Sequence, residues 1–343
     1  MPPRNRKIFC GWMVIIMCGA FLYACAPSSM IKPSSITMET QDGFIEEHDD
    51  FVILKTMPGD TLDALAETFL NDASKTWVIA EFNGIDSLTP GQEIVIPLKP
   101  VYPGGLKADG LQTVPILLYH DFSKTRTSKM IVMETSFEAQ MKYLKENNYH
   151  VITLGRFLDF MELNEQIPEK SVVITIDDGW KSLYTIAYPI LKKYNFLATL
   201  FVYTDFIGGR KGLTWNQIKE LSDNGFDIEC HTKTHRYLTK IKDGETFDQF
   251  FKSIKKELMH PKKLLKQKLN RDCSCLAYPY GKTNSLVAAM AKKQGYRAAF
   301  TVTRGGNAFY LHNYNINRST IFGHYDLEKF KQNLDVFQPM EVE

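Results

Sequence analysis

From Val114 onward the chain alternates short, nearly continuous apolar runs with amphipathic stretches, and this alternation restricts the fold more than any other feature. Val114–Tyr119, His150–Leu154, Val172–Ile176, Leu197–Tyr203, Phe226–Cys230, Cys275–Tyr278 and Arg297–Val302 read as strands. Helical spacing falls between most of them, over Leu183–Tyr194, Trp215–Asp223, Phe247–Leu269 and Ser285–Gln294. Thr135-Ser136-Phe137-Glu138 reads as a capping box opening a further helix, with Phe137, Met141 and Leu144 on one face. Apolar strands separated by amphipathic helices predict a parallel sheet covered on both faces. Seven or eight such units within residues 113–335 predict an α/β fold, a (β/α) barrel that is small for its class.

Two polar motifs interrupt this pattern at strand ends: Thr175-Ile176-Asp177-Asp178-Gly179 and His231-Thr232-Lys233-Thr234-His235. One carboxylate and two imidazoles can hold a divalent cation while leaving positions open for water and substrate. The neighbouring carboxylate is then free to act as general base. Successive residues at a strand end point to opposite sides, so Asp177 and Asp178 can serve different roles, and two histidines one helical turn apart can reach one ion. Each motif has a plainer reading, a turn after a strand for the first and a solvated helix face for the second. Together, at the face where a barrel places its chemistry, they point to metal-assisted hydrolysis. Zn²⁺ is the expected ion, with Co²⁺ and Ni²⁺ accepting the same ligands. A glycoside hydrolase would need carboxyls about 5–9 Å apart across the scissile bond, which adjacent aspartates do not provide.

Several segments together resemble the NodB-type polysaccharide deacetylases, carbohydrate esterase family four. They are Val114–His120, Ser171–Gly179, Leu213-Thr214-Trp215, Gly225–His235 and Ala277-Tyr278-Pro279-Tyr280-Gly281. The resemblance implies that Asp178, His231 and His235 are the metal ligands, that Asp177 is the base, and that the Tyr280 N–H helps hold the oxyanion. Many members carry an Arg where Ala277 stands, an Arg that orients the base; here Arg318 and Arg304 are the candidates to replace it. The family's Leu-x-His, whose His protonates the leaving amine, is not found near the C-terminus but in Leu118-Tyr119-His120. His120 is therefore the expected acid, as in a circularly permuted member whose first and last strands are neighbours; His324 is the alternative. Such an order resembles exported deacetylases acting on poly-N-acetylglucosamine. Trp215 and Gly305-Gly306-Asn307 are candidates for lining a sugar groove, and Tyr278 is a candidate substrate residue whose plainer use is packing. The rival function is a non-catalytic glycan-binding envelope lipoprotein, against which the retained Asp177 argues.

Residues 51–98 carry their own pattern. Phe51-Val52-Ile53 leads into Pro58-Gly59-Asp60-Thr61-Leu62, two helical stretches end at Asn83-Gly84, and Pro90-Gly91-Gln92 precedes the strand Glu93–Ile96. This βααβ order resembles a LysM module, which implies binding to chains containing N-acetylglucosamine. Residues 99–112, rich in Pro and Gly, read as a linker.

At the N-terminus Arg4, Arg6 and Lys7 precede an apolar run to Ala24, followed by Cys25, which resembles a bacterial lipoprotein signal. The expectation is a signal over 1–24, a lipidated Cys25, a tether over 25–50, and an exported protein anchored to the cell envelope. Ala26 favours the outer membrane if the host has one. A formal net charge of +2 gives no reason to expect nucleic acid as partner, and a monomer is expected. Cys230, Cys273 and Cys275 read as buried free thiols, although Cys230 could meet either of the others if their strands are neighbours.

Overall fold

The computed structural model describes residues 44–340. The signal segment, Cys25 and residues 25–43 of the expected tether lie outside the described residues. Phe44–Glu47, at the tether's end, is already a strand beside Phe51–Lys55.

Phe51–Lys55 pairs antiparallel with Glu93–Pro97, Ile53 opposite Val95. Helices Leu62–Leu70 and Thr76–Asn83 lie between them in sequence. Thr61 caps the first helix by accepting the Ala64 N–H, and Gly84 ends the second in the left-handed region. Alternate strand residues Val52, Leu54, Ile94 and Ile96 meet Leu65, Ala66 and Ile79 in a small core. Burying each large aliphatic side chain there is worth about 1.5–3 kcal/mol. A short turn at Ala73–Lys75, capped by Asp72, takes up the sequence between the helices.

The stretch expected to be a linker is structured. Leu106–Lys107 and Gly110–Gln112 form a hairpin, and Phe337–Pro339 adds a third antiparallel strand. Gln112 is buried and its amide donates to the Pro168 carbonyl at 2.5 Å. Strands of two or three residues in a Pro/Gly-rich stretch leave no readable period, so only the paired partner reveals them.

Beyond the hairpin come six of the expected parallel strands, β1 (Val114–Tyr119), β2 (Ser171–Asp178), β3 (Thr199–Val202), β4 (Asp227–Cys230), β5 (Cys275–Ala277) and β6 (Ala298–Phe300), and a seventh that the apolar pattern does not mark, β7 (Ser319–Thr320). From β1 to β6 each pairs in parallel with the next in sequence. β7 pairs with β1, and just before it Ile316 bridges Phe300. The ring of seven therefore closes, with first and last strands as neighbours. Along β2 the side chains of Val172, Ile174 and Ile176 face the surrounding helices, while Val173 joins Phe201, Ala277 and Phe300 in the barrel interior. His150–Val151 pairs with the start of β2, and Leu154 opens a helix instead of prolonging that strand.

The helices Trp215–Asp223 and Phe247–Leu269 fall where the pattern put them, each opened by a Thr capping box, Thr214 with Gln217 and Thr246 with Gln249. The expected capping box at Thr135 does not form; that helix runs Glu134–Glu146 from Met133 with no side-chain cap. Leu183–Tyr194 begins as a π-helical turn over Leu183–Ala187 before Tyr188–Lys193 continues as α-helix. Cys230 is joined to Cys273, with Cα atoms 6.5 Å apart, and buried Cys275 is the free thiol among the described residues. The expectation of three free thiols is thereby corrected: β4 and β5 are neighbours, and the residue two before Cys275 reaches Cys230.

Candidate active site

Register places the site. Tyr119 is opposite Ile176, Asp178 opposite Val202, and Val202 opposite Cys230. The residues that end or follow these strands, His120, Asp177, Asp178 and His231, therefore meet at one rim of the barrel. They line an open cavity of about 880 Å³ together with His235, Tyr278 and Tyr280.

Asp177 has the same parity as Val173 and Thr175, so its buried carboxylate points into the barrel end. Asp178 would face away by parity. Its φ of 76°, followed by Gly179 at φ 93°, swings the chain out of the strand. A Cβ on Gly179 would lie 2.9 Å from Ile207 Cδ1, so this turn requires glycine in both conformation and space. Asp178 Oδ1 thereby lies 3.7 Å from His231 Nε2 and 3.6 Å from His235 Nε2.

The two histidines are not a helix face. The segment after β4 is a loop with Thr232 at φ 71° and His235 at φ 61°, and the Thr232 hydroxyl accepts the His235 N–H at 3.1 Å. The rings meet edge to face, 4.7 Å apart. Spacing alone did not distinguish a helical turn from a loop that returns on itself. His231 Nδ1 lies 2.8 Å from the Ala277 carbonyl, which leaves its Nε2 lone pair aimed at the aspartates.

Asp178, His231 and His235 offer ligand atoms that all lie within 4.8 Å of one another. The donor set, two imidazoles and a carboxylate, suits a divalent transition metal. Asp178 Oδ1 is buried with no hydrogen-bond partner, as expected of an atom whose partner is an ion, while Oδ2 accepts the Trp180 indole N–H at 2.9 Å. Burial and the neighbouring His231 push His235 down to about 4, so at neutral pH its ring is a neutral donor.

Of the two candidate arginines, Arg318 is the one that meets Asp177. Its guanidinium is fully buried and grips Asp177 bidentately, Nη1 to Oδ1 at 2.7 Å and Nη2 to Oδ2 at 2.8 Å. Nε donates to the Thr301 carbonyl at 3.0 Å. Burial alone would raise the Asp177 carboxyl, but Arg318 and His231 outweigh it and hold the group below the usual carboxylate range. Arg304 instead donates to the Gln332 carbonyl at 2.5 Å, on the exposed surface.

His120 enters the rim through the β1–β2 pairing. Its Nδ1 is buried without a partner. Burial pushes its pKa down, while Asp177 and Asp178 pull the other way. His324 is exposed, stacks on Phe322 and meets Tyr325 edge to face, outside the cavity lining. Tyr280 has φ 60° and its N–H has no hydrogen-bond partner among the described residues. Its ring stacks on Tyr237, centroids 4.0 Å apart. A Cβ on Gly281 would lie 2.6 Å from the Val302 nitrogen, so this turn needs glycine to pack on the end of β6.

Both expected groove segments, Trp215 and Gly305-Gly306-Asn307, fall outside the cavity lining. Trp215 opens its helix, packs against the helix-side core and has Lys268 Nζ 5.8 Å from its ring; it does not line the cavity. Gly306–Asn307 pairs with Val114 and Pro115 at the opposite end of β1, where the buried Asn307 amide donates to the Val114 carbonyl at 3.0 Å. Tyr278 lines the cavity while fully buried; its hydroxyl donates to the Tyr314 carbonyl at 3.1 Å, and burial raises it to about 12.

A parallel barrel that gathers carboxylates and imidazoles into one cleft at its strand ends is the frame of a hydrolase. Comparison with known proteins supplies the family. The polysaccharide deacetylase model matches residues 164–299, and the LysM domain model matches 57–97. "Putative polysaccharide deacetylase YxkH" of Bacillus subtilis (strain 168) is 32% identical over 200 residues, covering 58% of this chain and 68% of that protein. The poly-beta-1,6-N-acetyl-D-glucosamine N-deacetylase of Staphylococcus aureus (strain MRSA252) is 29% identical over 205 residues, 57% of this chain and 70% of that one. Among solved structures, the Streptococcus pyogenes deacetylase PplD in complex with acetate superposes with a TM-score of 0.59 at 26% identity, covering 66% of this chain and 99% of that chain. The chain belongs to the polysaccharide deacetylases, hydrolases that act on non-peptide carbon–nitrogen bonds, and carries a LysM domain ahead of the catalytic barrel.

Proposed function

We propose that the protein removes acetyl groups from N-acetylglucosamine residues of an extracytoplasmic polysaccharide, poly-N-acetylglucosamine or peptidoglycan, in a metal-dependent reaction. The observation that carries this reading is the separation of roles within one cleft: the imidazoles of His231 and His235 converge on the orphaned Asp178 Oδ1, while a second carboxylate, Asp177, is held apart by Arg318. A divalent ion bound by Asp178, His231 and His235 would polarise the acetamide carbonyl and acidify a water toward a pKa of about 7. Asp177, ionised and oriented, accepts the proton of the attacking water. The free Tyr280 N–H donates to the oxyanion that develops. His120 carries a proton to the leaving amine, which departs poorly until protonated. A binding-only descendant has no use for the buried Asp177–Arg318 pair, which argues against the glycan-binding alternative.

Mass spectrometry of β-1,4- and β-1,6-linked N-acetylglucosamine oligomers incubated with metal-loaded protein tests the activity; unchanged masses in both series overturn it. His120→Ala should keep the metal and lose a factor of about 10²–10⁴ in turnover, with His324→Ala mild. The reverse ranking refutes the assignment of the acid. The LysM domain is proposed to retain the enzyme on its polymer, and deleting it should weaken pull-down on insoluble glycan. Lipid anchoring at Cys25 accords with the basic-apolar-Cys order and is checked by palmitate labelling of wild type against Cys25→Ala. No helix among the described residues is long and apolar enough to cross a membrane.

A further inference from the structure

The mouth of the cleft is strongly basic on one side. Arg126 and Lys129 on the segment after β1, Lys181 after β2 and Lys211 after β3 all line the cavity and are exposed. These loops are tied together. The Lys181 N–H donates to the Lys211 carbonyl at 2.9 Å, and the Leu213 N–H to the Gly179 carbonyl at 2.9 Å. The Ser182 hydroxyl donates to Asp121 at 2.5 Å and accepts the Phe122 N–H at 3.1 Å. The nearby cations Lys124 and Lys233 have carboxylate partners, Glu134 and Asp205, whereas none of the four at the mouth is in an ion pair among the described residues. Lys129 Nζ lies only over the Phe322 ring, at 5.6 Å. The carboxylates lining the cavity do not balance them: Asp177 is gripped by Arg318, Asp178 faces the imidazoles, and Asp121 receives the Ser182 hydroxyl. The chain's net charge of +2 does not by itself produce such a cluster. On the other side of the ring, the residues after β5 and β6 contribute Tyr280 and Val302 instead.

We propose that this cleft selects N-acetylated glycans bearing carboxylate substituents near the sugar to be deacetylated, an inference that rests on the deacetylase reading above. A neutral glycan gains nothing from four unpaired cations, and the ammonium product of deacetylation is repelled by them. A carboxylated chain is drawn in while the aromatic side still receives sugar faces. The carboxylate has two chemical sources, a free, peptide-stripped lactyl ether on a cell-wall glycan or an ester-linked succinate on an exopolysaccharide.

Three oligomers of equal length separate the cases: unsubstituted, succinylated, and alternating with the lactyl-ether sugar. Binding to the full Asp177→Asn protein and kcat/KM of the metal-loaded wild type are both measured against salt. At least one carboxylated oligomer should bind roughly three- to tenfold tighter than the unsubstituted one at low salt, with the advantage lost at high salt. The double variant Lys181→Gln/Lys211→Gln should bring the ratio of carboxylated to unsubstituted affinity toward one, and Lys181→Arg/Lys211→Arg should preserve it. Equal affinity for all three oligomers at low salt, or a preference that survives in the glutamine variant, overturns the proposal. Absence of acetate release from every oligomer would refute the deacetylase reading separately, because the binding ratio still reports on the cations.

Discussion

Arg318 governs the charge state of the proposed base, 141 residues away along the chain. Breaking a buried ion pair by removing one partner costs about 3–5 kcal/mol, so Arg318→Met should lower the melting temperature as well as the rate. Arg318→Lys is the more informative variant, because an ammonium keeps the charge but cannot make the two parallel bonds. Asp177 is depressed in the native protein, and weaker pairing lets its pKa rise. The fraction ionised at a given pH then falls, and the acid limb of kcat/KM should move to higher pH. A limb that stays in place would show that Asp177 is not the base or that Arg318 does not tune it. Metal analysis provides an independent check. Asp178→Asn, His231→Ala and His235→Ala should each lose the ion, while Asp177→Asn should retain it and lose turnover. That both aspartates and both histidines belong to one candidate site is legible from their motifs, and the structure brings the four together at the rim. Choosing Arg318 over Arg304 was not, since nothing local to either arginine tells which side chain turns into the barrel.

Among the elements, the long helix Phe247–Leu269 holds the histidine loop. Buried Glu257 accepts the Lys233 N–H at 2.9 Å, the Thr234 N–H at 2.8 Å and the Thr234 hydroxyl at 2.8 Å. These bonds offset the left-handed backbone at Thr232 and His235, which costs of order 1–3 kcal/mol per residue. Glu257→Gln replaces one acceptor oxygen with a donor and should weaken metal affinity about 10–100-fold. Chelator competition measures this, and the melting temperature of the metal-free variant separates loop positioning from general stability. Unaltered affinity would mean that the loop holds itself. The helix bounds were readable because Thr246 and the apolar period mark them. The conformation of the histidine segment is not readable in the same way, because a spacing of four suits a helical turn and a returning loop alike, and only packing against Glu257 decides.

On the scale of the whole molecule, Glu81 of the LysM domain reaches the barrel and accepts the Glu169 N–H at 3.0 Å. Burial, reinforced by the nearby Glu169 carboxylate, raises Glu81 to about 7. A carboxyl raised on folding favours the native state most below its unfolded value and loses that contribution as pH rises through the folded one. Glu81→Gln should therefore melt about 2–4 °C above wild type at pH 8 and level with it at pH 4, below the unfolded value. A constant difference across that range would show that Glu81 ionises freely. The strand–helix alternation, the LysM order and the chemistry-bearing motifs could be read from the chain alone, because periodicity, caps and side-chain identity are local properties. Ring closure through Ile316 and β7, the β1–β2 register that brings His120 beside Asp177, the Cys230–Cys273 contact and the sheet joining residues 106–112 to 337–339 were decided only in three dimensions. Each depends on which strands become neighbours and in what register, a choice made by burial and pairing over the whole barrel and not by the residues at either end of the contact.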